Sequence, residues 1–159
     1  MRHTSKLPMR LLPRVAGLRL VDTVIDADTV SFTLESTSVA VACSVCGQKT
    51  TRLHSHYSRT VADLPWGGRY VRLLLNVRKF RCPHRECPRK IFTERLPDLL
   101  EPYARKTTRL REVMELVGFA LGGNAGARLI GRLCMKVSPT TLLRYIRGAA
   151  IASYPAPPR

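Results

Sequence analysis

No stretch of this sequence is apolar for long enough to span a bilayer. Its basic start, MRHTSKLPMRLLPRVAGLRL, lacks the uninterrupted apolar segment of a secretory signal. No membrane role is expected, and cytoplasmic residence is the default. Acidic residues are scarce, with 11 Asp+Glu against 27 Lys+Arg. They are also scattered, and no two carboxylates sit in a setting that would bind magnesium. Glu94, Asp98 and Glu101 come nearest to a cluster, but they lie in a proline-interrupted stretch and read as a solvated face. A nucleophile elbow, a phosphate loop and a His–Cys dyad are all missing. The chain is therefore expected not to be an enzyme. Internal repeats are absent as well.

The same scarcity of acid leaves a net charge of +16 and a pI near 10.7. Such an excess attracts polyanions, and nucleic acid is the commonest one in a cytoplasm. Arginine supplies most of it, and arginine contacts phosphates and guanine edges in bidentate fashion. A merely soluble basic surface is the bland alternative. Hydrophobic residues make up 45% of the 159, enough for a folded chain of one medium or two small domains.

Five cysteines are present, four of them in two close pairs. Cys43 and Cys46 open CSVCG; Cys82 and Cys87 lie in RCPHRECP. Two short loops that each turn two sulfurs inward suit one tetrahedral metal ion, and a reducing cytosol favours metal over disulfide. One structural zinc ion is expected on Cys43, Cys46, Cys82 and Cys87. Unligated core thiols, a redox pair or an iron–sulfur cluster are the alternatives. His54, His56 and His84 could also ligate, but the thiol set is complete without them, which leaves no open coordination position for catalysis. Loss of a ligand is expected to unfold the whole β domain. Cys134, the fifth, reads as a small buried apolar residue.

Residues 1–16 read as a basic lead-in. Strands are expected near 18–25 and 29–35 as a hairpin around Asp26-Ala27-Asp28, then over 51–62 and 69–81, with a turn at LPWGG. In the last strand Val71, Leu73, Leu75 and Val77 share one face. Arg72, Leu74, Asn76, Arg78 and Phe80 share the other. The zinc-binding β domain thus runs over 17–97, with a linker at 98–106 marked by Pro97 and Pro102. From Thr107 the period becomes helical, with Leu110, Val113, Met114, Val117 and Leu121 on one stripe. Gly122-Gly123 ends that helix, Asn124 starts a second, and Ser138-Pro139 caps a third. Three short helices over 107–150 have the layout of a helix-turn-helix, followed by a tail at 151–159. The fold class expected is α+β: a small zinc-ribbon-like antiparallel β domain, then a three-helix helix-turn-helix domain.

The basic side chains expected to face DNA are Arg69, Arg72, Arg78 and Lys79 on the strand, and Arg81, Arg85, Arg89 and Lys90 around the second cysteine pair. Thr140, Thr141, Arg144 and Arg147 join them on the last helix. A solvated β face and plain helix packing are the alternatives. Trp66, Tyr70 and Phe80 could stack on bases, though in a small ribbon aromatics more often build the core.

Taken together, CSVCGQ, HSHYSR at 54–59, DLPWGG at 63–68, VRLLLNVRKFRC, the Cys-x4-Cys pair and IFTERLP resemble the N-terminal zinc-finger region of bacterial insertion-sequence transposases of the ISL-three family. The resemblance runs from about Leu11 to Ala150, since that family follows its finger with a helix-turn-helix. It implies that the four cysteines are zinc ligands and that the partner is double-stranded DNA at terminal inverted repeats. The family's cutting chemistry resides in a C-terminal Asp-Asp-Glu domain that would begin near YPAPPR, so a truncated transposase is expected. A stand-alone regulator of transposition or transcription is one alternative, and a zinc-ribbon adaptor for RNA or protein is another. Any homodimer is expected to form through regions outside this sequence or not legible in it.

Overall fold

The computed structural model describes residues 17–149; the expected lead-in at 1–16 and tail at 151–159 lie outside them. β1 (Leu18–Ile25) and β2 (Thr29–Ser36) form the expected antiparallel hairpin, closed by Asp26 N–H donating to Thr29 O at 2.8 Å. β3 (Val41–Ala42) and β4 (Lys49–Thr50) make a separate two-stranded ribbon that carries the first cysteine pair. β5 (Leu53–Trp66) and β6 (Arg69–Arg81) are the longest strands, paired antiparallel across Gly67-Gly68. Those glycines have φ of 56° and 72°. A two-residue hairpin whose twist matches its strands needs positive φ at both positions, which is why two glycines stand there. β7 (Ile91–Thr93) returns along the end of β6.

The main sheet has the order β1-β2-β6-β5, with β7 added to β6. β2 and β6 run parallel, from Thr29 opposite Tyr70 to Glu35 opposite Asn76. The sheet is thus mixed rather than antiparallel throughout. A parallel pair requires a long crossover, and here residues 37–68 supply it, zinc ribbon and β5 included. Alternation along the strands then places Val30, Phe32, Leu34, Val61, Val71, Leu73, Leu75 and Val77 in one core.

Residues 98–106 are no free linker. Leu99 and Leu100 are buried in that core, and the amides of both donate to Leu96 O at 3.0 Å. Ala62 N–H donates to Arg105 O at 2.9 Å and Thr107 N–H to Ala62 O at 3.0 Å, so the segment lies along the outer edge of β5. Thr107 caps the following helix, its Oγ1 accepting from Leu110 N–H at 3.3 Å. The boundary between the chain's two compact units falls between Leu110 and Arg111.

The expected three-helix helix-turn-helix does not form. Two helices occur among the described residues, α1 (Thr108–Arg132) and α2 (Pro139–Gly148). Gly122-Gly123 reads as a terminator, yet only Gly122 leaves helical geometry, at φ 70° and ψ −169°. The helix kinks there and resumes through Gly123-Asn-Ala-Gly-Ala, because neither a proline nor an extended segment follows to prevent it. α1 ends at the left-handed Cys134 (φ 56°), with Met135 N–H returning to Ile130 O at 3.1 Å. Cys134 is half-buried, less enclosed than expected. Ser138 caps α2 as its sequence implies, accepting from Thr141 N–H at 3.2 Å ahead of Pro139.

Glycines in α1 admit the apolar side of α2. A Cβ at Gly126 would lie 2.7 Å from Leu142 Cδ2, and one at Gly118 3.0 Å from Ile146. Leu142 is fully buried. Gly126→Val should therefore destabilise the helical unit by about 1–3 kcal/mol through overpacking, read as a lower urea midpoint by circular dichroism. An unchanged midpoint would show that Leu142 does not pack there.

Candidate metal centre and its basic surround

The two cysteine pairs are brought together by different local devices. In the β3–β4 ribbon, Cys43 N–H donates to Gln48 O and Gly47 N–H to Cys43 O, both at 2.9 Å. This tight turn directs the Cys43 and Cys46 side chains to one side. Cys82 stands where β6 ends, with its N–H on Lys90 O at 2.9 Å, and Cys87 N–H reaches His84 O at 3.2 Å. Beneath them Phe80 and Phe92 stack with centroids 6.3 Å apart, in a buried cluster with Cys43 and Cys87.

All four sulfurs lie within 4.8 Å of one another, with Cys43 to Cys87 at 4.0 Å and Cys46 to Cys82 at 3.5 Å. A tetrahedron with Zn–S of about 2.3 Å separates its sulfurs by about 3.8 Å. The cluster therefore has the size and donor set of a four-cysteine zinc site, and the centre is a zinc site with its coordination closed by protein. The thiols are held at unlike acidities. The Cys46 backbone amide brings Cys43 down to about 7, against burial and with help from the Val45 amide. Burial pushes Cys82 up to about 12, against the His84 amide and with the neighbouring sulfurs adding to the rise. Four thiolates this close repel one another, and a divalent ion removes the conflict.

His54, His56 and His84 are exposed and outside this group, which among the described residues is the one cluster of three or more metal-ligating side chains. His54 Nδ1 lies 2.9 Å from Ser55 Oγ. Zinc here has no free position and serves to hold structure.

The basic residues singled out in the sequence fall into distinct settings. Arg81, Arg85, Arg89 and Lys90 are exposed around the Cys82–Cys87 loop, and Lys90 Nζ donates to Arg85 O at 2.5 Å. Arg72 is exposed on the open face of β6. Lys79 is half-buried, its ammonium 5.2 Å from the centre of the Tyr57 ring. Arg69 braces the β1–β2 turn, with Nε 3.2 Å from Asp26 O and 3.1 Å from Ala27 O. Arg78 is drawn into the fold by Glu94, at 3.0 Å. On α2, Thr140, Arg144 and Arg147 are exposed, while Thr141 is half-buried and engaged by the Ser138 cap.

Lys49 and Arg52 are exposed beside the first cysteine pair and escaped notice in the sequence. Their position flanking the first knuckle was the available signal. Glu94, expected on a solvated face, is instead buried and ion-paired with Arg78. Asp63 is another buried carboxylate, accepting from Thr107 Oγ1 at 2.6 Å and from Arg109 Nε at 2.8 Å. No helix among the described residues is long and apolar enough to cross a membrane.

Residues 40–87 match the family model described as the zinc-finger of transposase IS204/IS1001/IS1096/IS1165. No curated protein and no solved structure matches the chain. The matched span takes in all four sulfur ligands and stops on the last of them. Between residues 40 and 87, then, the chain carries a zinc-ribbon region of the kind found in ISL-three family transposases.

Proposed function

We propose that the chain is the DNA-binding part of a transposase, holding the terminal inverted repeats of an insertion sequence through the zinc end of its β unit. One observation carries the reading. Lys49, Arg52, Arg81, Arg85, Arg89 and Lys90 all stand exposed around the four-cysteine centre, with Glu86 the single exposed acid in the cysteine loops. Zinc fixes the two loops, so the cations they bear are preorganised for phosphates rather than spread on mobile chains. The family match over the same residues supports the choice of DNA.

The cutting step is assigned elsewhere. Phosphodiester cleavage by such enzymes uses carboxylates on divalent ions; among the described residues no metal-ligating cluster includes a carboxylate, and four of the eleven acidic residues are engaged in ion pairs. Asp63 is held by Arg109, Glu94 by Arg78, Glu35 by Arg19 and Glu115 by Arg111.

Titration of the zinc-loaded chain against inverted-repeat duplex at several salt concentrations tests the reading. Each phosphate neutralised contributes a slope of about −0.9 in log K against log salt. Replacing Lys49, Arg81 and Arg85 together by alanine should flatten the slope by about 3. A slope near zero for the parent chain would overturn phosphate contact, and equal affinity for every duplex would overturn recognition of the ends.

A further inference from the structure

We infer that a cleft beside the zinc end of the β unit takes an unpaired nucleotide, with its base stacked on Tyr103; this rests on the DNA-binding reading above. The cleft is lined by Tyr57, Arg59, Arg89, Arg95, Glu101 and Tyr103, among others. Part of its lining is a tight turn in which Ala104 N–H donates to Glu101 O at 3.2 Å. Pro102 is second in that turn and Tyr103 third, at φ 63°. Proline followed by a residue of positive φ is the pattern of a type II turn, and the third position normally belongs to glycine or asparagine. A bulky ring in this conformation is an outlier that the fold must enforce. Arg59 enforces it from β5, its guanidinium donating to Ala104 O.

The ring held in this way adds nothing to the core, since Tyr103 is 80% exposed. The Arg95 guanidinium lies over it, 5.4 Å from the centroid. Arg89, from the loop that bears Cys87, is exposed at the same cleft. Three guanidinium groups, those of Arg59, Arg89 and Arg95, line the cleft against two carboxylates, those of Glu101 and of Glu94; Arg78 already neutralises Glu94, so the local charge favours an anion. An exposed aromatic face backed by a guanidinium, with a second cation close by, suits a ligand with a flat ring and a phosphate. A base inside a duplex has both faces covered by its neighbours, so only a single-stranded or extruded nucleotide offers one.

The test uses the zinc-loaded full chain and two DNAs: a blunt duplex, and the same duplex with a single-stranded thymidine extension. Stacking on one aromatic side chain should make the extended DNA bind at least about 5-fold tighter. Tyr103→Gly removes the ring while suiting the backbone of the turn, so it should fold at least as well, lose the preference and keep its affinity for blunt duplex. Tyr103→Phe should retain the preference. With 5-iododeoxyuridine in the extension, photocrosslinking should map to Tyr103. Equal affinity of the parent chain for both DNAs, or a preference that survives in Tyr103→Gly, would overturn the cleft assignment while leaving duplex binding intact. Failure to bind either DNA would overturn both.

Discussion

Stripping the zinc with a chelator, or replacing Cys87 by serine, should open residues 41–50 and 82–93 while the β1-β2-β6-β5 sheet stays folded. Structural zinc contributes about 10–16 kcal/mol in small finger peptides near neutral pH. Nothing else at this end of the unit approaches that. Its buried apolar residues beyond the thiols are Phe80 and Phe92, each contributing on the order of 1.5–3 kcal/mol. The ribbon of β3 and β4 pairs only Val41 with Thr50 and Ala42 with Lys49, too little to stand without the metal. The sheet has a core of its own, with ten buried apolar side chains from Val30 to Leu100. Loss of a ligand is thus expected to be local, where the sequence by itself suggested collapse of the whole β domain. Elemental analysis should give one zinc per chain, and hydrogen exchange after chelation should rise in the two cysteine loops but not in β2 or β6. Unchanged protection over 41–50 would refute a structural zinc. Loss of all β signal would show that the sheet core depends on it.

The strands and the metal site were legible for the same reason: both are local patterns. Alternation of Val71, Leu73, Leu75 and Val77 demands a half-buried strand wherever it occurs, and Gly67-Gly68 demands its own turn. Two cysteines in one short loop need no distant partner to be recognised as half a site. What escaped depends on residues far apart in the chain. The parallel pairing of β2 with β6 cannot be read from either strand alone. Pro97 and Pro102 signal an interruption, but Leu99 and Leu100 between them find the sheet core, and burial outweighs the punctuation. The alternation of β6 changes phase at Arg78 and Lys79, both half-buried, so Phe80 turns inward under the zinc. In the helical unit, a glycine pair is the same signal for a stop and for a kink; packing of Leu142 and Ile146 against Gly126 and Gly118 depends on residues outside that local signal.

Glu94→Ala should cost about 3–5 kcal/mol, the range for removing one partner of a buried charge pair. The Glu94 side chain is 2% exposed and its four hydrogen bonds tie three segments together. Oε1 accepts from Arg78 N–H at 2.7 Å and from Arg78 Nε at 3.4 Å. Oε2 accepts from Ser36 Oγ at 2.7 Å and from Arg78 Nη2 at 3.0 Å. The same guanidinium reaches Ser38 O at 2.6 Å, so the pair joins the end of β2, the chain leaving it, and the junction of β6 with β7. Alanine would leave a largely buried cation with no counter-charge, and that penalty, more than the lost attraction, sets the size of the effect. Arg78→Met combined with Glu94→Leu removes both charges at similar volume and should recover most of the stability, a sign of coupling that neither single variant can give. Denaturant titration reads both results, and a Glu94→Ala midpoint equal to the parent's would refute the pairing. The double variant also separates folding from DNA contact. Because Arg78 is spent on Glu94, its salt slope with duplex should match the parent's, whereas the Lys49, Arg81 and Arg85 replacement flattens it. A slope reduced by about 1 in the double variant would mean that Arg78 reaches a phosphate after all.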